Sequence, residues 1–411
     1  DQGPSDVAGL LDDLATGEEV VRLEDDIAAG TRRLLRLTSG ADAFQASSDE
    51  RITARHFSNT LFNIMRGGVF FDGYRFPCGD FLAFAKQWNR PLGEEFEARL
   101  SGSGSTCSRD DLLRIAAGDA GMERLALEYL PLTFSRRHGD PSRPWNHFSI
   151  DIRDKSGVQR LSYQGNWRDI FQNWEALSIS YPEYIGSFIA KFVNASTADG
   201  YNPYRIGRDG FDWEVHDPDD PWSNIGYWGD HQANYLLKLL ELSDHYHPGQ
   251  LQDYLSREIF VYADVPYRIK RYADLLRDPR DSVEYDDGAA KKAAARVSVT
   301  GSDGRLLILA DGRIHHVNLM EKLLVTVLAK LGNFVPGGGI WMNTQRPEWN
   351  DANNALAGYG LSMVTLCYLR RLLVLMGRLI EGETARNFPL SEEVGLFMIS
   401  VRSALEEHRK M

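Results

Sequence analysis

Apolar residues recur at helical spacing along most of the chain. In the first fifty residues, leucines and valines fall three to four positions apart, a repeat that places them on one face of an α-helix. The same spacing predicts a helix over 56–65, which Gly67 and Gly68 end because glycine accepts the conformation of a helix cap. Further helices are predicted at about 121–133, 168–179, 183–194, 229–243, 251–262, 318–331, 355–378 and 391–408.

Strand patterns are scarce by comparison. One small hairpin is predicted, with Leu306–Leu309 and Arg313–His315 on either side of an Asp311-Gly312 turn. Long segments rich in aromatic residues, glycine and proline separate the helices, notably 134–167 and 197–228. This layout predicts an all-α fold in which the helices form the scaffold and the loops form the functional surface.

Length and composition are those of a globular protein. The chain has 411 residues, of which 43% are apolar and 25% charged, enough to bury a sizeable core in one large domain or two smaller ones. We expect a helical lead-in over 1–50 and a main domain over 51–411. The start, Asp1-Gln2-Gly3, has neither a methionine nor the apolar stretch of a signal peptide. This raises the hypothesis that the chain is a piece of a longer protein.

The charge of the chain narrows the classes of partner. A formal net charge of −12 repels phosphate backbones and anionic lipid, so neither nucleic acid nor membrane is expected as a partner. A run of about 18 apolar residues, which a membrane helix needs, does not occur in the sequence. A neutral substrate such as a sugar is compatible with this charge.

The cysteines indicate a reducing compartment. Cys78, Cys107 and Cys367 are odd in number and widely spaced, and none forms a CxxC pair of the zinc-binding type. We therefore expect three reduced thiols, a cytoplasmic protein, and no metal or other cofactor.

Three segments carry candidate chemistry, and the first is 163–174. It combines Trp167 and Trp174 with the polar side chains of Arg168, Asp169 and Gln172. Indole rings offer flat apolar faces to the C–H surfaces of a sugar, while guanidinium, carboxylate and amide groups bind its hydroxyls. An equally good interpretation is a helix start, with the acid in the first turn and both indoles buried as anchors.

The second segment, 210–232, alternates acids with aromatic residues before an apolar helix. Trp228, Asp230 and His231 stand directly before that helix and are candidates for a sugar-binding rim. Asp230 would alternatively cap the helix. His216 and His231 lack the spacing of a metal motif, so a metal site is not predicted.

The third segment, 343–354, is the most distinctive. Glu348 and Asp351 flank Trp349 and Asn350. A carboxyl group beside an indole is partly desolvated, which raises its pKa and keeps it protonated near neutrality, as the general acid of a glycosidase requires. Asp351 would alternatively cap the helix that follows.

Taken in order, these segments resemble the catalytic domain of the cellobiose phosphorylase family, whose relatives include the phosphorylase-like domain of cyclic β-1,2-glucan synthases. The likeness covers about residues 54–408 and rests on order and character. The family's Arg-Asp-x-x-Gln-Asp stretch is matched by 168–173, and its "DG" turn by Asp199-Gly200. Its Gly-Asp-Trp-Asn-Asp-Gly-Met motif is matched by 347–353.

The resemblance implies a six-hairpin, (α/α)6 toroid that cleaves or transfers glycosidic bonds with inversion, acting on a disaccharide or oligosaccharide. Asp351 would be the acid, and the sugar contacts would come from Trp167, Arg168, Asp169, Gln172, Trp228, Asp230, His231, Glu348, Trp349 and Asn350. Inorganic phosphate would be a co-substrate if the enzyme is a phosphorylase. Relatives are often dimers, so a homodimer is an open expectation.

Departures from the family pattern leave alternatives open. Asn173 replaces the second Asp of the first motif, and Ala352-Asn353 replaces Gly-Met. Family domains also begin with a β-sandwich and continue for several helices beyond the acid, so the toroid is either incomplete or short. A hydrolase would need a base, with Glu214, Asp230 and Glu348 as candidates. The rival from another class is a non-catalytic glycan-binding or scaffold domain.

Overall fold

The computed structural model describes residues 18–102, 104–134, 159–203, 205–212, 232–279, 281–343, 359–381 and 387–410, with a few single positions outside these ranges (9, 11, 12, 14, 15 and 154). Within them the chain is mostly helical, with several small antiparallel sheets, which confirms the predicted predominance of helices. No helix in this part of the chain is both long enough and apolar enough to span a membrane.

The helices are numbered in chain order. They are α1 Glu18–Gly40, α2 Glu50–Gly67, α3 Cys78–Trp88, α4 Arg90–Leu100, α5 Arg109–Ala116, α6 Ala120–Glu128, α7 Trp167–Ser180, α8 Ile185–Asn194, α9 Gln232–Tyr246, α10 Gln250–Tyr254, α11 Tyr272–Arg277, α12 Asp287–Thr300, α13 Leu319–Leu331, α14 Met363–Glu381 and α15 Glu392–Lys410. Two short 3-10 turns lie at Pro182–Tyr184 and Ser302–Arg305.

The strands are two or three residues long. They are β1 Val69–Phe70, β2 Arg75–Pro77, β3 Thr106–Ser108, β4 Leu132–Thr133, β5 Gln164–Asn166, β6 Arg205–Gly207, β7 Gly210–Asp212, β8 Phe260–Val261, β9 Tyr267–Ile269, β10 Val283–Tyr285, β11 His316–Val317, β12 Phe334–Val335, β13 Gly339–Trp341 and β14 Leu361–Ser362. They form the sheets β1–β4, β2–β3, β9–β10 and β8–β11 and the three-stranded sheets β5–β6–β7 and β12–β13–β14, all with antiparallel pairing.

Side-chain caps set where several helices begin. Asn89 accepts a hydrogen bond from the Leu92 N–H at the start of α4, and Asn318 does the same for Glu321 N–H at the start of α13. Ser108 and Asp111 form a reciprocal capping box at α5. Each cap satisfies backbone donors that the first turn leaves unpaired, so these polar residues fix the helix boundaries locally.

Two helices lie at the centre of the larger core. All ten residues of α8 are buried, and so are ten of the thirteen residues of α13. Helices α7, α9 and α14 pack around them, with Trp174 fully enclosed between Phe171 and Phe188. A smaller core lies among α3 to α6, where Phe81 and Phe84 surround the ring of Tyr129. Apolar side chains from distant parts of the sequence thus join in a continuous interior.

A buried cluster of charges lies between the two cores. Arg124 Nη2 lies 2.5 Å from Asp303 Oδ2, and its Nη1 lies 3.4 Å from Glu128 Oε1. Lys191 Nζ lies 3.7 Å from Glu128 Oε2, and none of the four side chains is more than 2% exposed. Two cations and two carboxylates balance one another, as buried charges must.

Two amides complete this cluster. Asn89 donates to Asp303 Oδ2 at 2.8 Å, and Asn194 donates to Glu128 Oε1 at 2.6 Å. Burial raises the pKa of Asp303 and, outweighing the attraction of Glu128, lowers the pKa of Lys191 to about 8. Helix α6 contributes Arg124 and Glu128, α8 contributes Lys191 and Asn194, and the 302–305 turn contributes Asp303. Asn89 lies between α3 and α4. The cluster therefore fixes the relative positions of these five elements.

The sequence analysis predicted one hairpin, but the structure contains many more strands than that. The predicted turn at Asp311-Gly312 exists, with Ile308 and Ile314 bridged across it and Gly312 at a φ of 87°. The predicted helix over 251–262 ends at Tyr254, however, because Phe260–Val261 pairs with His316–Val317 instead. Short buried apolar runs satisfy their backbone groups equally well in strands, and pattern alone does not separate the two.

The prediction of three reduced thiols was also wrong. Cys78 and Cys107 form a disulfide, and their Cα atoms lie 5.3 Å apart because β2 and β3 pair beside them. Cys367 is a free, exposed thiol. Disulfides are typical of oxidising compartments. The bond therefore weighs against a reducing compartment, which was inferred from three reduced thiols. The cytoplasmic location itself stays a prediction.

Removing the disulfide should lower stability. The bond closes a segment with a sequence separation of 29, so the double variant Cys78→Ser, Cys107→Ser should unfold with a free energy about 2–4 kcal/mol smaller. Urea unfolding of the oxidised chain measures the loss, and Cys367→Ser is the control that should leave stability unchanged. A double variant as stable as the oxidised chain would contradict the bond.

Breaking the charge cluster should cost more than removing a surface charge. Asp303→Asn leaves the guanidinium of Arg124 buried without its closest carboxylate, and the free energy of unfolding should fall by about 3–5 kcal/mol. The matched control is Asp311→Asn in the exposed hairpin turn, where the carboxylate pairs with Arg313 two residues away. Chemical unfolding of both variants tests this, and equal losses would contradict it.

His316 should make the protein sensitive to acid. Burial, with a contribution from the charge of Arg124, lowers the pKa of His316 to about 4 from an ordinary 6.5. Between these pH values the unfolded chain binds a proton that the folded chain does not, so stability falls as pH falls.

The size of this effect follows from the two pKa values. Between pH 7.5 and pH 5, the unmodified chain should lose about 2 kcal/mol more than His316→Gln. Unfolding of both proteins at the two pH values measures the difference, in which titrations common to both proteins cancel. Identical pH dependence in the two proteins would rule out this histidine.

Candidate functional site

Most of the predicted site residues lie outside the described residues. They are Asp351, the predicted acid, and Trp228, Asp230, His231, Glu348, Trp349 and Asn350. Of Arg168 the structure describes the backbone, in the first turn of α7. Trp167, Asp169 and Gln172 are described in full.

Helix α7 begins at the first predicted segment. Trp167 is 5% exposed and packs against Phe171 and Phe192, with ring centroids 4.7 Å and 4.5 Å away. These contacts match the interpretation of the indole as a core anchor; its stacking on a sugar stays a prediction. Gln172 is exposed on the outside of the helix.

Asp169 lies at a buried helix start, as the sequence suggested. Its carboxylate is in the first turn of α7, where the helix dipole favours a negative charge. Asn166, the residue before the helix, is 1% exposed, and its Nδ2 lies 3.5 Å from Asp169 Oδ2. A carboxylate and an amide are thus paired at the end of β5.

The sheet β5–β6–β7 joins the first two predicted segments. Asn166 faces Arg205 across the β5–β6 pair, and Arg205 faces Asp212 across the β6–β7 pair. These three residues form one row across the sheet, which we call the polar row. It places Asn166 and Arg205 on neighbouring strands about 5 Å apart, with the backbone of Asp212 on the third strand. Asp212 is also the last described residue before 213–231, which contains Trp228, Asp230 and His231.

The backbone on both sides of 344–358 is fixed. The Tyr201 hydroxyl donates to Asn343 Oδ1 at 3.3 Å, four residues before Arg205 of the polar row. On the far side, Met342 N–H donates to Gly360 O at 3.1 Å and continues the β13–β14 pairing. The segment that contains the predicted acid Asp351 is therefore attached at its first flank, through Asn343, to the chain that leads into β6, and its second flank is paired with Met342.

Tyr201 is held by a tight glycine turn. Gly200 has a φ of 81°, and a Cβ there would lie 2.6 Å from Ala329 Cβ on α13, so both backbone and packing require glycine. This is the Asp199-Gly200 turn that the sequence singled out. Burial raises the pKa of Tyr201 to about 12, so its hydroxyl is neutral and donates. Lys330 Nζ lies 5.2 Å from the centroid of the same ring.

Sequence reasoning missed several of these residues. Asn166 and Asn343 lie in the first and third segments but are not among the predicted site residues, and Tyr201 and Arg205 lie outside all three segments. The Asp199-Gly200 turn could have pointed to Tyr201, which follows it directly. The pairing of Arg205 with Asn166 depends on the short strands β5 and β6, which no pattern in the sequence predicts. Among the described residues, no three His, Cys, Asp or Glu side chains converge as a metal site.

The chain was compared with known proteins. No protein-family model matches it, and no curated protein is significantly similar to it. The likeness to the cellobiose phosphorylase family therefore stays a resemblance of motifs.

Proposed function

We propose that the chain is a carbohydrate-active enzyme that cleaves or transfers a glycosidic bond with inversion, and that its helices form an (α/α)6 toroid, complete or partial. The observation that supports the proposal is that the first segment and the described residues of the other two, 210–212 and Asn343, are linked through β6 and the chain before it. The polar row pairs residues of the first and second segments, and the bond between Tyr201 and Asn343 attaches the first residue of the third segment to the chain just before β6.

The polar groups at this junction suit a sugar. Asp169, Asn166 and Arg205 offer a carboxylate, an amide and a guanidinium. The amide lies 3.5 Å from the carboxylate, and Arg205 pairs with Asn166 across β5 and β6. Such groups bind vicinal hydroxyls through paired or charge-assisted hydrogen bonds. They sit on a helix start and a sheet, which hold them more rigidly than a loop would.

In the proposed reaction Asp351 protonates the leaving oxygen. Arg168 and Asp169 hold sugar hydroxyls, with Gln172, Asp230, His231 and Asn350 completing the polar contacts and Trp228 and Trp349 stacking on the ring. Attack comes from the opposite face of the sugar, by phosphate in a phosphorylase or by water in a hydrolase. For water, a base carboxylate must lie about 6.5–9.5 Å from the acid; Glu214, Asp230 and Glu348 remain the candidates.

A non-catalytic glycan-binding domain is the second candidate. The observation that favours it is Asn173, which replaces an acid of the family motif and is buried at 3% exposure in α7. At that position it is well placed for packing and leaves one fewer carboxylate for a reacting sugar. Binding of sugars without any bond cleavage would establish this alternative.

The acid assignment is tested by Asp351→Asn. A screen of β-linked disaccharides with and without phosphate first identifies the substrate and the nucleophile. Turnover by the variant should then fall at least about 100-fold, because protonation of the leaving group is lost. The reaction is followed by release of free sugar or sugar phosphate.

The control for this experiment is Asp311→Asn, which removes a carboxylate from an exposed turn. Its turnover should equal that of the unmodified chain. Undiminished turnover by Asp351→Asn would remove the acid assignment, and a chain that binds sugars but turns over none in either condition would favour the binding domain.

A further inference from the structure

A groove runs along the turn between β6 and β7. Two adjoining cavities, of about 430 and 580 Å³, meet there and share the side chains of Gln87, Arg160, Ser162, Arg208 and Asp209. Among the described residues, the first cavity extends to Ser302 and Arg305 and the second to Phe71 and Asp80. We call the two together the turn groove. Each is in the size range of pockets that hold a ligand of several hundred daltons.

The turn at the centre of this groove is held rigidly. Trp88 Nε1 donates to Arg208 O at 2.8 Å, and Ser302 Oγ donates to Asp209 O at 2.5 Å. The Arg208 guanidinium donates to Leu161 O and lies 2.9 Å from Asp80 Oδ2. Because these contacts come from three separate parts of the chain, α3, Leu161 and the 302–305 turn, the groove is formed before any ligand enters, which reduces the entropy cost of binding.

The chemistry of the lining favours a neutral polar ligand. The described residues include three arginines and two aspartates, a formal charge of +1, and one of the arginines, Arg208, is already neutralised by Asp80. The side chain of Asp209 is 68% exposed at the middle of the groove, where it would repel an anion. Gln87 and Gln164 add amides, and Phe71 adds a partly exposed aromatic ring. This combination suits hydroxyls and the apolar face of a sugar.

The groove is continuous with the polar row. Gln164, Gly207 and Gly210 line it and face one another across the sheet β5–β6–β7. Asn166, Arg205 and Asp212 form the next row on the same side of the strands, two residues along. The two rows are about 7 Å apart, because a strand advances about 3.3 Å per residue.

We infer that the turn groove binds further units of a neutral oligosaccharide whose reacting bond lies at the polar row. This inference rests on the proposed function and specifies its substrate class. It assigns recognition to Gln87, Gln164 and Asp209, and it makes an oligosaccharide of four or more units a better ligand than a disaccharide.

The test is binding of the full chain to an array of neutral and acidic oligosaccharides of two to eight units. Ala83 is exposed on α3 and lines the groove, so Ala83→Trp fills the second cavity with an indole. The control is Ala98→Trp, an equal change at an exposed position of α4 outside the groove. Gln87→Ala is a second groove variant that adds no bulk, and thermal unfolding checks that every variant is folded.

The expected result is retention of neutral oligosaccharides of four or more units by the unmodified chain and by Ala98→Trp, with at least a tenfold loss of affinity in Ala83→Trp and in Gln87→Ala. Four results would overturn the inference: no oligosaccharide retained, a preference for acidic ones, equal affinity for two and eight units, or unchanged affinity in both groove variants. The array measures binding alone, so turnover surviving in Asp351→Asn would sink the proposed acid and leave this result standing.

Discussion

The buried ion pair of Arg124 and Asp303 is the constraint on which the rest of the structure depends. The two residues are 179 positions apart in sequence, and their side chains meet with almost no exposure to solvent. Burying a guanidinium is costly unless its charge is balanced and its donors are satisfied. The chain is therefore held to arrangements that bring the 302–305 turn against α6, while Glu128 and Lys191 extend the same requirement to α8.

The 302–305 turn, which contains Asp303, also supports β7. Ser302 donates to Asp209 O, and Arg305 donates to Phe211 O at 2.9 Å. These bonds hold the residue before the short β7 strand and the middle residue of that strand, and β7 carries one end of the polar row. A balanced charge cluster in the interior thus supports the sheet that carries the polar row. Rigid support of this kind is what a binding site needs if it is to hold a substrate in one orientation.

In the described residues, the elements that form most of the core differ from those that carry the polar candidates. The helices supply most of the buried apolar residues, and the polar candidates Asn166, Asp169 and Arg205 lie at a helix start and on short strands. Short strands bury little apolar surface by themselves. Here they are held in place by packing against helices such as α3, α7 and α13. Gly200 illustrates the dependence, since its backbone conformation and its contact with Ala329 together fix the tyrosine beside Asn343.

The sequence by itself determined many of the helices and the tight turns, because each of these depends on residues close together in the chain; α3, α4, α5, α11 and α12 were not predicted. The apolar repeat before Gly332 predicted 318–331, and α13 spans Leu319–Leu331; the glycines at 67 and 68 end α2 as expected. What only the tertiary structure decided was pairing at a distance. Arg124 and Glu128 look like an ordinary surface pair four residues apart on a helix, and nothing local marks them as buried. The disulfide, the pairing of Asn166 with Arg205 and the bond from Tyr201 to Asn343 join residues 29 to 142 positions apart, and the free energy that selects them comes from burial of the whole core.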